Sequence, residues 1–181
     1  NITFTKSSKV YNNSNRIIMI GGLRTTGDKN ISIGSDTNLA SLLGEDSAGT
    51  ANTNNITMGD DCMQNSINGR QNIAVGHGAM KYMGRSASDP TGDTEQNIAI
   101  GNQAMAGFKT GSRTQGQYNV AMGYQSMYDA HQNDNPSTPT HGNVCTGILS
   151  GFNLSSFWCI YLGYKAGFGH SGGSDGYENI G

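Results

Sequence analysis

The chain has 181 residues, the size of one ordinary domain, with 13% charged residues, 27 Gly and a formal net charge of −2. Gly stands at about twice its usual share and charge at about half, and the absence of any Lys/Arg block makes nucleic acid an unexpected partner. No apolar run approaches the ~18 residues of a membrane span, three Cys at unrelated spacings form neither a disulfide framework nor a zinc motif, and a chain this rich in Gly disfavours a helical bundle, leaving a turn-rich all-β protein.

Residues 1–14 read as a lead-in segment, without the basic-then-apolar pattern of a signal peptide. From residue 15 a unit recurs: Asn, aliphatic, small, aliphatic, Gly, two variable residues, small, Met or Leu. A decayed copy covers Ile17 to Gly21, followed by Asn30-Ile31-Ser32-Ile33-Gly34 and by Asn55-Ile56-Thr57-Met58-Gly59 with Met63. Three near-identical copies follow: Asn72-Ile73-Ala74-Val75-Gly76 with Ala79-Met80, Asn97-Ile98-Ala99-Ile100-Gly101 with Ala104-Met105, and Asn119-Val120-Ala121-Met122-Gly123 with Ser126-Met127. Weaker copies end at Gly147 and, as Cys159-Ile160-Tyr161-Leu162-Gly163, at Gly163 with Ala166. Asn179-Ile180-Gly181 reads as a further copy that breaks off, so residues 15–181 are expected to form a repeat shaft of about eight short coils belonging to something longer. From Gly34 onward the repeat glycines lie 25, 17, 25, 22, 24 and 16 residues apart, which places the variation in inserts and not in the core.

Each pentapeptide alternates with period 2, the pattern of a short strand. Ile98 and Ile100 point to one face and Ala99 to the other; Ala74 and Ala121 repeat that pattern. The expectation is that the aliphatic face lies against its own coil and the small face against another sheet or chain. The glycine ends the strand with a positive-φ corner or a close backbone approach. Stacked asparagines are expected to form a ladder of amide hydrogen bonds, and the Met of each unit to fill an irregular core. A strand this short buries its apolar face only by stacking, and eight layers at strand spacing would span roughly 40 Å.

Polar inserts occupy residues 85–96, 109–118 and 129–142 and read as surface loops of the rod. Ten of the fourteen aromatic residues lie at Tyr118 or later, a distribution that fits wider terminal coils or an aromatic surface for sugar rings. On the second reading, Tyr124, Tyr128, Trp158 and Tyr164, with His131 of the 129–142 insert, are the candidate receptor contacts.

The copies at residues 72–80, 97–105 and 119–127 resemble the N-T/I-A-V/I-G-x-x-A-L/M repeats of bacteriophage tail fibres, and are similar to the head repeats of trimeric autotransporter adhesins. The resemblance covers roughly residues 15–181 and is densest over 72–127. It implies a β-helix or β-roll solenoid in an intertwined or side-by-side homotrimeric rod, located on the virion outside the cell. Its implied partners are a host cell-surface glycan or protein and other tail proteins. A bacterial surface adhesin and a polysaccharide-cleaving tailspike are the alternatives. Gaps of up to 25 residues between repeat glycines favour the fibre over an adhesin head, which carries little insertion.

No catalytic, cofactor or metal site is expected. The four His fall in different loops without ligand spacing, and three of them flank a Gly directly, as turn residues do. Adjacent acids such as Asp60-Asp61 and Glu45-Asp46 read as solvated loop residues rather than a glycosidase pair. Gly76-His77-Gly78 lacks the remainder of a dinucleotide fingerprint. Cys145 and Cys159 occupy repeat positions and read as small core side chains.

Overall fold

The structure, a computed structural model, describes residues 10–11, 17–20, 31–34, 54–64, 69–82, 94–107, 116–129, 141–154 and 158–169. Among these the regular structure is strand and turn, with no helix. The middle three residues of each repeat form a strand: β3 (Ile31–Ile33), β4 (Ile56–Met58), β6 (Ile73–Val75), β8 (Ile98–Ile100), β9 (Val120–Met122), β10 (Val144–Thr146) and β11 (Ile160–Leu162). These seven strands pair in parallel and in one unbroken register, so Ile31, Ile56, Ile73, Ile98, Val120, Val144 and Ile160 are successive neighbours. Inserts of unequal length leave that register unchanged. The motif sets it.

Two further strands, β1 (Val10–Tyr11) and β2 (Ile17–Ile20), join the sheet at the β3 edge. Here β2 runs antiparallel to β3, with Ile18 opposite Ile33 and Ile20 opposite Ile31, and β1 runs antiparallel to β2. The stretch from Ile17, read from sequence as a decayed repeat copy, therefore runs against the parallel stack. It has Ile17 in the Asn position and Thr25 in the Met position, so only its apolar run and closing glycine match the repeat. An apolar run can pair in either direction.

The alternation is present, but the expected assignment of its faces is reversed. Ala74, Ala99, Ala121 and Cys145 are fully buried inside the layer, while Ile100, Met122 and Leu162 are exposed on the outside. The physical reason is the narrow cross-section of each layer. Opposite the strand stand Met63, Met80, Met105 and Met127, all fully buried, and a methionine reaching inward leaves room for a small strand residue only. Where the strand residue grows, its opposite shrinks. Gly151 stands opposite Cys145 and Gly167 opposite Tyr161, and an added Cβ at either glycine would collide with those side chains.

The methionine side of each layer is hydrogen-bonded to the next without being an extended strand. Met80 N–H donates to the Ala104 carbonyl (3.0 Å), Met105 to Ser126 (2.9 Å) and Met127 to Ser150 (2.8 Å). Gln103 (φ 55°) and Met105 (φ 51°) are left-handed, as are their counterparts in other layers. That conformation costs about 1–2 kcal/mol per residue. Burying the methionine contributes about 1.5–3 kcal/mol, which offsets it.

The asparagines form the expected ladder. The side-chain amides of Asn72, Asn97, Asn119 and Asn143 each donate to the Oδ1 of the asparagine one layer before, at 3.1–3.2 Å. Each such Oδ1 also accepts the following asparagine's backbone N–H, at 2.9–3.0 Å. At the last described layer Asn143 Oδ1 accepts the Cys159 N–H (3.0 Å), where the side-chain chain of amides stops. Asn30 lies outside the described residues.

A third side is also hydrogen-bonded from layer to layer. β5 (Gly69–Arg70) and β7 (Thr94–Glu95) pair in parallel, and single bridges continue them through Gln117 to His141. Residues 94–96, 116–118 and 141–142 therefore belong to the framework, although the sequence places all of them in inserts.

Candidate binding surface

Each layer repeats the same path, so equivalent positions form columns along the stack. The residue after each strand-ending glycine gives one column: Asp60, His77, Asn102, Tyr124, Ile148 and Tyr164. Its character changes from polar to apolar along the chain. Around the early layers the contacts are polar, with an ion pair between Lys81 Nζ and Asp61 Oδ2 at 2.7 Å and His77 Nε2 4.0 Å from the same oxygen. The hydrogen bond to Asp61 raises the Lys81 pKa above its ordinary value. In the later layers Tyr124, Ile148 and Tyr164 are exposed at 48%, 51% and 69%.

A second column follows the methionine side. Tyr128 stacks on Phe152 at 5.4 Å between ring centroids, and Phe152 on Phe168 at 5.0 Å. Lys165 joins the two columns, its ammonium 5.3 Å from the Tyr164 centroid and 5.4 Å from that of Phe168. Both distances are within cation–π range.

The four sequence candidates among the described residues thus lie at three separate places. Tyr124 and Tyr164 share one column with Ile148 between them, while Tyr128 is half-buried and held in the ring stack. Trp158 stands on a different corner, its ring against Gly142. His131 lies outside the described residues. Tyr118 was not singled out by the sequence reading, yet it occupies the same corner as Trp158, two layers earlier. The available signal was its place directly before a repeat Asn, where Gln71, Gln96, Gly142 and Trp158 also stand relative to their own repeats.

The inserts share one place in the repeat. Residues 65–68, 83–93, 108–115, 130–140 and 155–157 each connect the end of a methionine side to the start of the third side. The strand face of the sheet is formed by the seven parallel strands. Its outward positions are aliphatic in every layer from Ile31 to Leu162 except at Thr146.

The cysteines are core groups. Burial pushes the Cys62 thiol up to about 11, against opposing hydrogen bonds to the Ala79, Gly76 and Met58 backbone, and pushes Cys145 up to about 12. Both remain protonated at neutral pH, and a thiol is a poor nucleophile. Among the described residues no group of three His, Cys, Asp or Glu is placed to hold a metal ion, and no helix is long and apolar enough to cross a membrane. Comparisons with family models, with curated proteins and with solved structures give no match.

Proposed function

We propose that the chain is a shaft and attachment segment of a homotrimeric viral tail fibre, built as a β-helical solenoid and displaying loops to a host-cell receptor. The observation that carries this reading is the uncharged aliphatic face running through seven parallel layers, with Ile31, Met58, Ile100, Met122, Ile160 and Leu162 all exposed at 38% or more. Exposed apolar surface of that continuity marks an interaction site. A closed ring of three copies covers it on every protomer with one repeated contact. The residue-level likeness of the copies at 72–80, 97–105 and 119–127 to tail-fibre repeats supports the same assembly. The third side, with its inserts, then faces outward toward a cell-surface glycan or protein, on a virion and outside the cell.

A bacterial trimeric adhesin shares the stacked architecture. The unequal inserts, with repeat glycines 16 to 25 residues apart, favour the fibre. The two readings differ in what the rod binds. Fluorescently labelled chain is expected to bind saturably to particular strains in a panel of bacteria and not to animal cells or extracellular matrix. Binding to animal cells or matrix with none to bacteria would replace the fibre by the adhesin.

A further inference from the structure

The corner before the repeat asparagine, or before Cys159 in the last copy, is left-handed wherever it is described: Asn54, Gln71, Gln96, Tyr118, Gly142 and Trp158 have φ between 55° and 65°. Glycine and asparagine tolerate that conformation, whereas a bulky ring there stores backbone strain. Burial does not compensate the two rings, since Tyr118 is 52% and Trp158 58% exposed. Their arrangement is specific all the same. Gly142 lies in the layer between them, and a Cβ on it would collide with the Trp158 indole. The missing side chain lets the indole rest against the backbone on its way toward the Tyr118 layer, one face supported and much of its surface open to solvent.

The surroundings define the ligand. Gln117 and His141, half-buried on the bridges of the third side, directly precede Tyr118 and Gly142 in the chain and carry polar side chains. Tyr118, Gln117, His141, Gly142 and Trp158 include no carboxylate, lysine or arginine. Among the described residues of this ladder the nearest charges, Arg70 and Glu95, pair with each other at 2.9 Å. A phosphate or a nucleic acid needs cations, and an ammonium ligand is better held with a carboxylate nearby. What fits is a neutral ring with an apolar face and hydroxyls at its rim. The inserts 108–115, 130–140 and 155–157 rejoin the framework at Gly116, His141 and Trp158, beside this corner.

The geometry points to Tyr118 and Trp158, bracketing Gly142, as a stacking platform for a neutral oligosaccharide, with Gln117 and His141 bonding its hydroxyls. Tyr124 and Tyr164 are separated from it: each lies two residues beyond an outward strand residue, Met122 or Leu162, and extends the aliphatic face instead. This assignment rests on the attachment reading and names where and what the segment binds.

The test uses the intact chain on an array of immobilised neutral, sialylated and sulfated oligosaccharides, followed by titration with the strongest neutral binder. Trp158 is the chain's only tryptophan, so its fluorescence reports on the platform directly. The expected result is saturable binding to neutral glycans with a shift in tryptophan emission. Trp158→Ala and Tyr118→Ala each weaken binding about tenfold or more, on the scale of a lost aromatic contact at a binding hot spot. Trp158→Phe retains most of the affinity, and Tyr164→Ala changes nothing, with far-ultraviolet circular dichroism unchanged throughout. Binding confined to acidic glycans, no array binding at all, or full binding by Trp158→Ala overturns the platform. If Trp158→Ala also still binds bacterial cells, the attachment reading stands with its site elsewhere. If the unmodified chain binds no bacterial cell, attachment itself fails.

Discussion

Gly101→Ala is expected to destabilise the stack by about 3–5 kcal/mol, among the largest effects of any single substitution in the chain. Two causes add. Gly101 has φ 137°, a conformation that costs an L residue about 1–3 kcal/mol. An added Cβ would also lie 2.7 Å from the Gly123 carbonyl carbon and closer still to its oxygen. That carbonyl belongs to the next layer's backbone and cannot swing aside as a side chain can. Relief requires the two layers to separate, which weakens the hydrogen bonds from Ile98 N–H to Asn119 and from Gly123 N–H to Ile100, both 2.8 Å. Gly163 supplies the control. It shares the backbone conformation at φ 126° but has nothing within 4 Å of its Cβ position among the described residues. Urea unfolding followed by circular dichroism should therefore show a smaller loss for Gly163→Ala, and the difference measures the interlayer contact. Equal losses would mean that only local strain matters at this position.

Asn97→Ala is expected to cost about 3–4 kcal/mol, because buried polar groups left without partners cost about 1–3 kcal/mol each. The Asn97 amide donates to Asn72 Oδ1 (3.1 Å) and to the Gly116 carbonyl (2.8 Å), and its oxygen accepts from the Asn119 N–H (3.0 Å). Truncation leaves the Gly116 carbonyl and the Asn119 N–H short of those bonds in a site where Asn72, Asn97 and Asn119 are at most 1% exposed. Exposed Asn102 is the comparison, and Asn102→Ala should stay within about 0.5 kcal/mol. Thermal unfolding of the two variants makes the measurement. A ladder that served only as a by-product of stacking would leave them alike.

The repeat was legible because three copies keep Asn, Gly and Met in fixed relation while their inserts vary. Strand register and the amide ladder follow from that alone, since identical residues in stacked strands become neighbours. The direction of the faces was not legible from the pentapeptide. An alternation of Ile and Ala has no sign, and only the width of the layer decides which set turns inward. The deciding information lay six residues away, in the pairing of Ala74, Ala99 and Ala121 with Met80, Met105 and Met127, and of Cys145 and Tyr161 with Gly151 and Gly167. Strand direction at Ile17–Ile20 was likewise hidden, because hydrophobicity is the same read in either sense. The corner of Tyr118 and Trp158 was obscured for a different reason. Its framework segments lie against polar inserts and carry no alternation, so the third side reads as loop until the bridges from Glu95 through Gln117 to His141 reveal it.

The proposed assembly depends on the outward aliphatic face being covered by copies of the same chain. Native mass spectrometry of the intact chain at micromolar concentration tests this most directly, with Ile100→Asp as the paired variant. Ile100 is 39% exposed and lies on the outward face, so the substitution should leave each protomer's own layers intact. Three carboxylates meeting at a shared apolar contact would each lose hydration without gaining a partner. The unmodified chain should register the mass of three protomers, and Ile100→Asp that of one with its β-sheet circular dichroism preserved. A folded monomer for the unmodified chain, or a trimer indifferent to Ile100→Asp, would contradict the assembly.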